Sequence, residues 1–297
     1  MPPGARHDAL MGREPAAGIR IRAAYDRDTA DIRAVWAANG TDIPAGGVDI
    51  IAPYLAHLER TGRVLVATAA NGVVGFGAVV ERAGVTHLAD LFVLPDHFGQ
   101  GTGGRLLTAL FEDAARRTTF ASSDPRALPL YVRSGMTPLW PNLYLDVDVS
   151  RLPLARAGLV CQPSAPETMA ELEARWLGAA SVEDHRFWAS LPGARPFVVS
   201  TARRPVALVH RRLRRTGQDR WISRLVLAPR VDPVPVLVTA FHHASDGGPI
   251  GSCVPGPSPA LPWLLNAGAR IVDRDTFMAS ASRLFDPVRR ITDGGIL

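Results

Sequence analysis

Apolar residues along this chain fall into two rhythms. The first consists of short runs: Val64-Leu65-Val66-Ala67-Thr68, then Val73 to Val80, then Thr86 to Leu94. Runs of that length, rich in β-branched residues and bounded by turn residues, predict strands. Asn71-Gly72 separates the first two, and Asn-Gly between apolar runs is a strong hairpin signal. The three runs therefore predict an antiparallel meander. Leu143-Tyr144-Leu145-Asp146-Val147-Asp148 alternates apolar with polar as a further strand. The second rhythm is helical. Asp28 to Trp36 and Glu167 to Trp176 each read as an acidic-headed helix ending in tryptophan, and Pro53 to Arg60 and Ala127 to Met136 predict two more.

The whole pattern occurs twice. Ala127-Leu128-Pro129-Leu130-Tyr131 is answered 133 residues later by Ala260-Leu261-Pro262-Trp263-Leu264. The same offset pairs Tyr54 with Phe187 and Val64-Leu65-Val66-Ala67-Thr68 with Phe197-Val198-Val199-Ser200-Thr201. Leu91-Phe92-Val93-Leu94-Pro95 answers to Leu225-Val226-Leu227-Ala228-Pro229, one residue out of step. Common order and spacing predict a tandem duplication. Its first unit spans residues 18–150, a Pro/Ala/Arg linker spans 151–158, and the second unit spans 159–297. Residues 1–17, rich in Pro, Gly, Ala and charge, are expected to be disordered. Asp286-Pro287 and Asp293-Gly294-Gly295 suggest a loosely packed tail.

Between the meander and the next helix lies the richest chemistry. Leu91 to Leu107 reads as an apolar strand, a glycine-rich turn containing Gly99, Gly101, Gly103 and Gly104, and the first turn of a helix. Glycines let a backbone wrap closely around a bulky anion, and the helix start aims unpaired N–H groups and a positive dipole end at it. A phosphate or pyrophosphate is the expected guest. Gly99, Gly101 and Gly104 also satisfy G-x-G-x-x-G, but a dinucleotide fold needs a parallel βαβ unit, and the meander argues against one.

These residues resemble the GNAT acyltransferase superfamily, which moves an acyl group from acyl-coenzyme A to an amine. The family pattern is L-x-V-x-P ending a strand, Q/R-x-x-G-x-G/A at a helix start, then A-x-x-L-Y closing in G-F. This chain has Leu91, Val93 and Pro95, then Gly101 and Gly103, then Ala127, Leu130, Tyr131 and Gly135-Met136. It departs at Phe98, where the family has Gln or Arg, and at Asp124, where Asn is frequent. The resemblance implies an α+β fold of two tandem GNAT units, each a mostly antiparallel sheet flanked by helices. It implies acetyl-CoA or another acyl-CoA as co-substrate, held by backbone at Leu91, Phe92 and Val93 and by the turn from Phe98 to Arg105, with Asp124 nearby. It also implies that Tyr131 protonates the departing thiolate. His87 is a candidate base, since imidazole titrates near neutrality, although a buried strand histidine fits the pattern equally. Asp90, Glu81 and His57 are lesser candidates.

The second unit lacks both features. Where the first has its glycine turn, the second has Arg230-Val231-Asp232-Pro233-Val234-Pro235, and prolines remove N–H donors. Leu264 stands where Tyr131 does. The expected reaction is therefore N-acetylation of a small-molecule amine in the first unit, the second being a degenerate copy. A non-catalytic acyl-CoA-binding or regulatory protein, and an enzyme using another acyl-CoA or reaction, are the alternatives.

Composition narrows the class. The chain has 297 residues, 47% of them hydrophobic, enough for two cores. No run predicts a membrane span, and Met1 to His7 lacks an apolar signal core, so a cytoplasmic protein is expected. Two cysteines and scattered histidines argue against a disulfide framework or a metal site, and no metal is expected. The formal charge is +5, with arginine as the only long basic residue. The cluster His210-Arg211-Arg212-Leu213-Arg214-Arg215 lacks interleaved aromatics and reads as a solvated hairpin loop rather than a nucleic-acid patch. A monomer or homodimer is expected.

Overall fold

The computed structural model describes residues 18–40, 43–202 and 204–296. The expectation for residues 1–17 therefore lies outside the described residues. The first unit runs β1 (Arg20–Ala23), α1 (Thr29–Ala38), α2 (Ile51–Thr61), β2 (Gly62–Ala69), β3 (Gly72–Arg82), β4 (Val85–Val93), α3 (Thr102–Leu110), β5 (Arg117–Ala121), α4 (Ala127–Arg133) and β6 (Thr137–Val147). The second repeats it: β7 (Val160–Pro163), α5 (Pro166–Leu177), α6 (Val182–Ser190), β8 (Arg195–Ser200), β9 (Pro205–Leu213), β10 (Arg220–Leu227), α7 (Pro233–Ser245), β11 (Ile250–Pro255), α8 (Ala260–Asn266) and β12 (Arg270–Ala279). One strand, β13 (Arg290–Thr292), follows.

The meander forms as its pattern predicts, β2 to β3 to β4 antiparallel around Asn71-Gly72. β3 is buried along most of its length, because helices cover both faces of the sheet. Phe76, Ala78 and Val80 meet Ile32 and Val35 of α1 and Leu55 and Leu58 of α2. Val79 joins Leu106, Leu107 and Leu110 of α3 in a second core cluster. Each such buried leucine contributes about 1.5–3 kcal/mol, so α3 is pinned to the sheet and the glycine turn before it has a fixed anchor.

Two local matches confirm the repeat at the level of single hydrogen bonds. In the first unit the β3–β4 register slips at Ala89, so that Leu88 faces Val79 and Asp90 faces Ala78. In the second the β9–β10 register slips at Ser223, between Ile222 facing Arg211 and Arg224 facing His210. The one-residue step in the sequence repeat thus carries a β-bulge to its counterpart. Beside each bulge a hydroxyl bonds back across the parallel pair: Thr119 to the Leu88 carbonyl at 3.0 Å and Ser252 to the Ile222 carbonyl at 3.1 Å.

The sheets of the two units are continuous. Their order is β1-β2-β3-β4-β5-β12-β6-β11-β10-β9-β8-β7, with β13 on β10. Each unit gives its last strand to the other: β12 pairs with β5, and β6 pairs with β11, while β12 and β6 pair with each other. The segment from Ser150 to Gly158 connects units that share a sheet, although one sheet per unit is the simpler expectation. Local pattern specifies which strands form, whereas partner choice depends on the packing of both units at once.

Two further expectations are corrected. The tail is embedded: Ile291, Thr292 and Ile296 are each about 3% exposed or less, because β13 gains a strand partner and Ile296 packs on Phe187 and Trp188. The arginine cluster also differs from a solvated loop. Arg211 is buried against Asp246, Arg212 pairs with Asp293, and Arg214 pairs with Asp146 while lying 4.3 Å over the Trp221 ring. Carboxylates from other elements compensate charges that look free in the linear sequence.

Candidate active site

β4 and β5 run parallel only from Thr86 to Leu88, against Arg117 to Thr119. Beyond Leu88 the bulge at Ala89 turns β4 away, and the two strands part. The residues from Ala89 to Val93 therefore border an open wedge, lined across the gap by α4 and floored by the glycine turn. The cleft has a volume of about 1200 Å³.

The cradle has the geometry its composition predicts. Gly99 and Gly101 hold φ of +74° and +79°, the left-handed region that L side chains avoid. Gly101 is the residue before α3, so its conformation directs the first turn of that helix into the cleft. A Cβ built on Gly101 would meet no protein atom, which leaves that space to a ligand. Thr102 Oγ1, buried at the helix start, has no protein partner. Open glycine surface, an unpaired hydroxyl and a helix N-terminus suit a pyrophosphate.

Most of the expected residues converge here. Leu91, Phe92, Val93, Phe98, Gly99, Gly101, Thr102, Gly103, Gly104, Asp124 and Tyr131 all line the cleft. Gln100 and Arg105 do not. Gln100 donates to the Asp96 carbonyl at 2.9 Å, and Arg105 donates to the Ile19 carbonyl at 2.8 Å, so both brace the turn from outside. Asp124 accepts the Arg126 backbone N–H at 2.8 Å and pairs with the Arg126 guanidinium. That guanidinium lies 3.4 Å over the Phe98 ring. A cation thus reaches the mouth of the cradle although position 98 itself carries none.

His87 is placed elsewhere. It is 1% exposed, with one ring nitrogen 3.0 Å from Thr118 Oγ1 and the other donating to the Gly294 carbonyl at 2.8 Å. Burial lowers its pKa to about 4, and it borders a different cavity. His57 is fully buried against Asp184 at 2.7 Å. Glu81 sits at the exposed end of β3.

Asp90 behaves differently. It lines the cleft one residue past the bulge, and Tyr54 of α2 donates to its Oδ2 at 2.7 Å. Burial raises its pKa to about 7, opposed by that hydrogen bond. A carboxyl poised near neutrality beside a cleft has the thermodynamics of a general base. Burial raises the Tyr131 phenol as well, with the charge of Asp90 as the next cause, so the phenol keeps its proton at neutral pH. The second unit also reaches this cleft. Asp273 of β12 and Arg215 of the β9–β10 turn line it, and the Arg215 carbonyl accepts the Val48 N–H at 2.9 Å.

The corresponding wedge of the second unit is filled by protein. β10 and β11 pair from Arg220 to Ile222 and then part. β13 lies along the freed edge, pairing Arg224, Leu225 and Val226 with Thr292, Ile291 and Arg290. The Leu227 N–H donates to Arg289 and the Asp293 N–H to Ser223, extending the ladder at both ends.

Among the described residues, no group of His, Cys, Asp and Glu is placed to hold a metal ion. Both cysteines are free thiols. No described helix is long and apolar enough to cross a membrane.

Comparison with known proteins agrees with this geometry. Residues 60–136 match the family model described as Acetyltransferase (GNAT) domain. Curated protein sequences gave no match. Among solved structures, a candidate acetyltransferase from Pyrococcus horikoshii aligns over 99% of this chain and 98% of its own, at 18% identity and a TM-score of 0.72. A GCN5-related N-acetyltransferase from Anabaena variabilis aligns over 88% and 72%, at 13% identity and a TM-score of 0.62. A tandem GNAT protein from the clavulanic acid biosynthesis pathway aligns over 89% and 99%, at 13% identity and a TM-score of 0.59. Residues 60–136 thus match the GNAT acetyltransferase domain model, and the chain as a whole has the fold of tandem GNAT proteins.

Proposed function

We propose that the protein is an acyl-CoA-dependent N-acyltransferase, using acetyl-CoA and a small-molecule amine, with its chemistry in the first unit. The observation that carries this reading is the parted β4–β5 wedge, which joins the glycine cradle to Asp90 and Tyr131 in one cleft. Acyl-CoA supplies the acyl group as an activated thioester. The backbone from Leu91 to Val93 holds its arm as an added strand would be held. The turn from Phe98 to Gly101 and the first turn of α3 hold its pyrophosphate, with Arg126 as the neighbouring cation.

Residue roles follow from position and protonation. Asp90, rather than the enclosed His87, takes a proton from the incoming ammonium, which makes the amine nucleophilic. Tyr54 orients that carboxylate. Tyr131 hydrogen-bonds the departing sulfur and carries the proton it needs. Asp273 and Arg215 let the second unit shape the acceptor side, which suits a compact acceptor over a long protein tail.

The test is an acyl-transfer assay that follows thiol release from acetyl-CoA across a panel of amines. Release that requires an amine, with a product heavier by one acetyl group, supports the reading. Tight acetyl-CoA binding with no turnover on any amine would favour a binding protein instead. Turnover of longer acyl-CoA alone would change the acyl group and leave the site assignment standing.

A further inference from the structure

A second cavity, of about 610 Å³, lies between the units and outside the cleft. Its setting repeats that of the acceptor side in the first unit. The α5–α6 segment, β10 and the β3–β4 turn surround it, as the α1–α2 segment, β4 and the β9–β10 turn surround the first. One substitution dominates the comparison. Asp90 follows the bulged Ala89, and its counterpart after the bulged Ser223 is Arg224. A carboxylate in one cleft is replaced by a guanidinium in the other.

Arg224 is 2% exposed. Its Nε and Nη2 are held by Glu173, but its Nη1 is buried without a partner. Arg290 of β13 borders the same cavity, with its Nε equally unpartnered and its guanidinium 4.4 Å over the Phe285 ring. The buried carboxylates are already engaged: Glu173 by Arg224 and His185, Asp184 by Arg82 and His57. Asp286 stands 3.8 Å from Arg289. Arg116 and Arg283 are exposed at the rim, and among the described residues neither makes an ion pair. Positive charge therefore exceeds negative charge around the cavity, and two guanidiniums, that of buried Arg224 and that of half-buried Arg290, each keep a buried donor unmade. Such donors carry a standing cost that an anion removes.

We propose that this cavity is a binding site for a small oxyanion, a phosphate or carboxylate compound, with Arg224 and Arg290 at its floor and Arg116 and Arg283 at its mouth. The site is separate from the acyl-CoA cradle and does not depend on the acyl-transfer reading. It has a mechanical link to the first cleft. Arg290 belongs to the segment whose Gly294 carbonyl accepts from His87 and whose Gly295 lies close against the Tyr54 hydroxyl. Fixing Arg290 steadies the residues beneath Tyr54 and Asp90.

Calorimetric titration of the full chain with inorganic phosphate, and separately with malonate as a carboxylate probe, tests the site. Both titrations are run with and without excess coenzyme A. Binding of either probe that persists with coenzyme A present is expected, and the preferred probe identifies the ligand's charged group. The rim double variant R116A/R283A, which alters exposed side chains only, should weaken binding at least about tenfold. R290Q should do the same, while R126A should leave it unchanged. Absence of binding by both probes, loss of binding on adding coenzyme A, or affinity unaltered in the rim variant would overturn the proposal.

Discussion

The two units carry the same bulge, the same cross-strand hydroxyl bond and the same parted strands, yet their wedges have opposite contents. The first is an open cleft with a glycine cradle. In the second, β13 pairs along the very edge of β10 that corresponds to the free edge of β4. Proline has also replaced the cradle: α7 starts at Pro233 with Asp232 as its cap, its side chain accepting from the Val234 N–H. Parting of parallel strands exposes unpaired backbone groups, and such groups need a partner. In one unit a cofactor arm is suited to provide it, and in the other the chain's own tail does. The two scaffolds depend on each other, because each unit's last strand completes the other's sheet.

That exchange makes the largest prediction. A fragment of residues 18–150 retains β5 without β12, and β6 without either neighbour. It also loses Met278 from the core around α3. Exposed strand edges and apolar surface drive association. The fragment should aggregate or fail to fold, as measured by solubility and size-exclusion chromatography. A stable monomeric fragment with undiminished acyl transfer would break the comparison at its base.

The next effect belongs to Asp90. Replacement by Asn keeps the shape and removes the proton acceptor, so kcat should fall about 100-fold, the lower range for general-base catalysis. In the intact enzyme, log kcat/KM should rise with pH through about 7, where the Asp90 carboxyl ionises. Asp90→Asn should abolish that limb. Stability gives an independent reading. The native carboxyl binds its proton more tightly than the unfolded one, whose pKa is about 3.9. The contribution of Asp90 to stability should therefore be fully present below that value and be lost as pH rises towards about 7, and chemical denaturation should show a smaller loss over that range in Asp90→Asn than in the intact protein.

A smaller effect is expected at Tyr131. Replacement by Phe should lower kcat about tenfold while cofactor affinity stays nearly constant, because the phenol acts only as sulfur departs. Leu264, its buried counterpart, should matter through packing alone: Leu264→Ala is expected to cost about 2–5 kcal/mol of stability. Steady-state kinetics beside thermal denaturation separates the two roles. Normal turnover in Tyr131→Phe would remove that residue from the chemistry. The smallest effect concerns Tyr54. Tyr54→Phe removes a hydrogen bond that favours ionised Asp90, so the acid limb should move to higher pH with folding retained. A limb that stays in place would show that Asp90 is not the titrating group.

Much of this comparison is legible in the amino-acid order. Asn71-Gly72 announces the meander, Gly99 and Gly101 announce a backbone with positive φ, and the repeat announces two units of like element order. What stays hidden is non-local. Nothing near β6 or β12 encodes the exchange, since both are ordinary alternating strands whose partners are set by the packing of two units. Arg290-Ile291-Thr292 lies between Pro287 and Gly294 and is too short to read as a strand until β10 offers an edge. Asp90 looks like a routine strand carboxylate; its raised pKa comes from burial, and the tyrosine that opposes the rise lies 36 positions away. Arg126 reaches the Phe98 ring only because the start of α4 lies over the glycine turn, a contact between positions 28 residues apart.

The central claim is that one wedge takes acyl-CoA and the other is filled by the chain itself. Isothermal titration calorimetry of the full chain with coenzyme A, repeated on G101V/G103V, tests it most directly. One site per chain is predicted, abolished in the variant, because side chains there would intrude into the cradle and strain a left-handed residue. Two equivalent sites per chain, or unchanged affinity in the variant, would contradict the account.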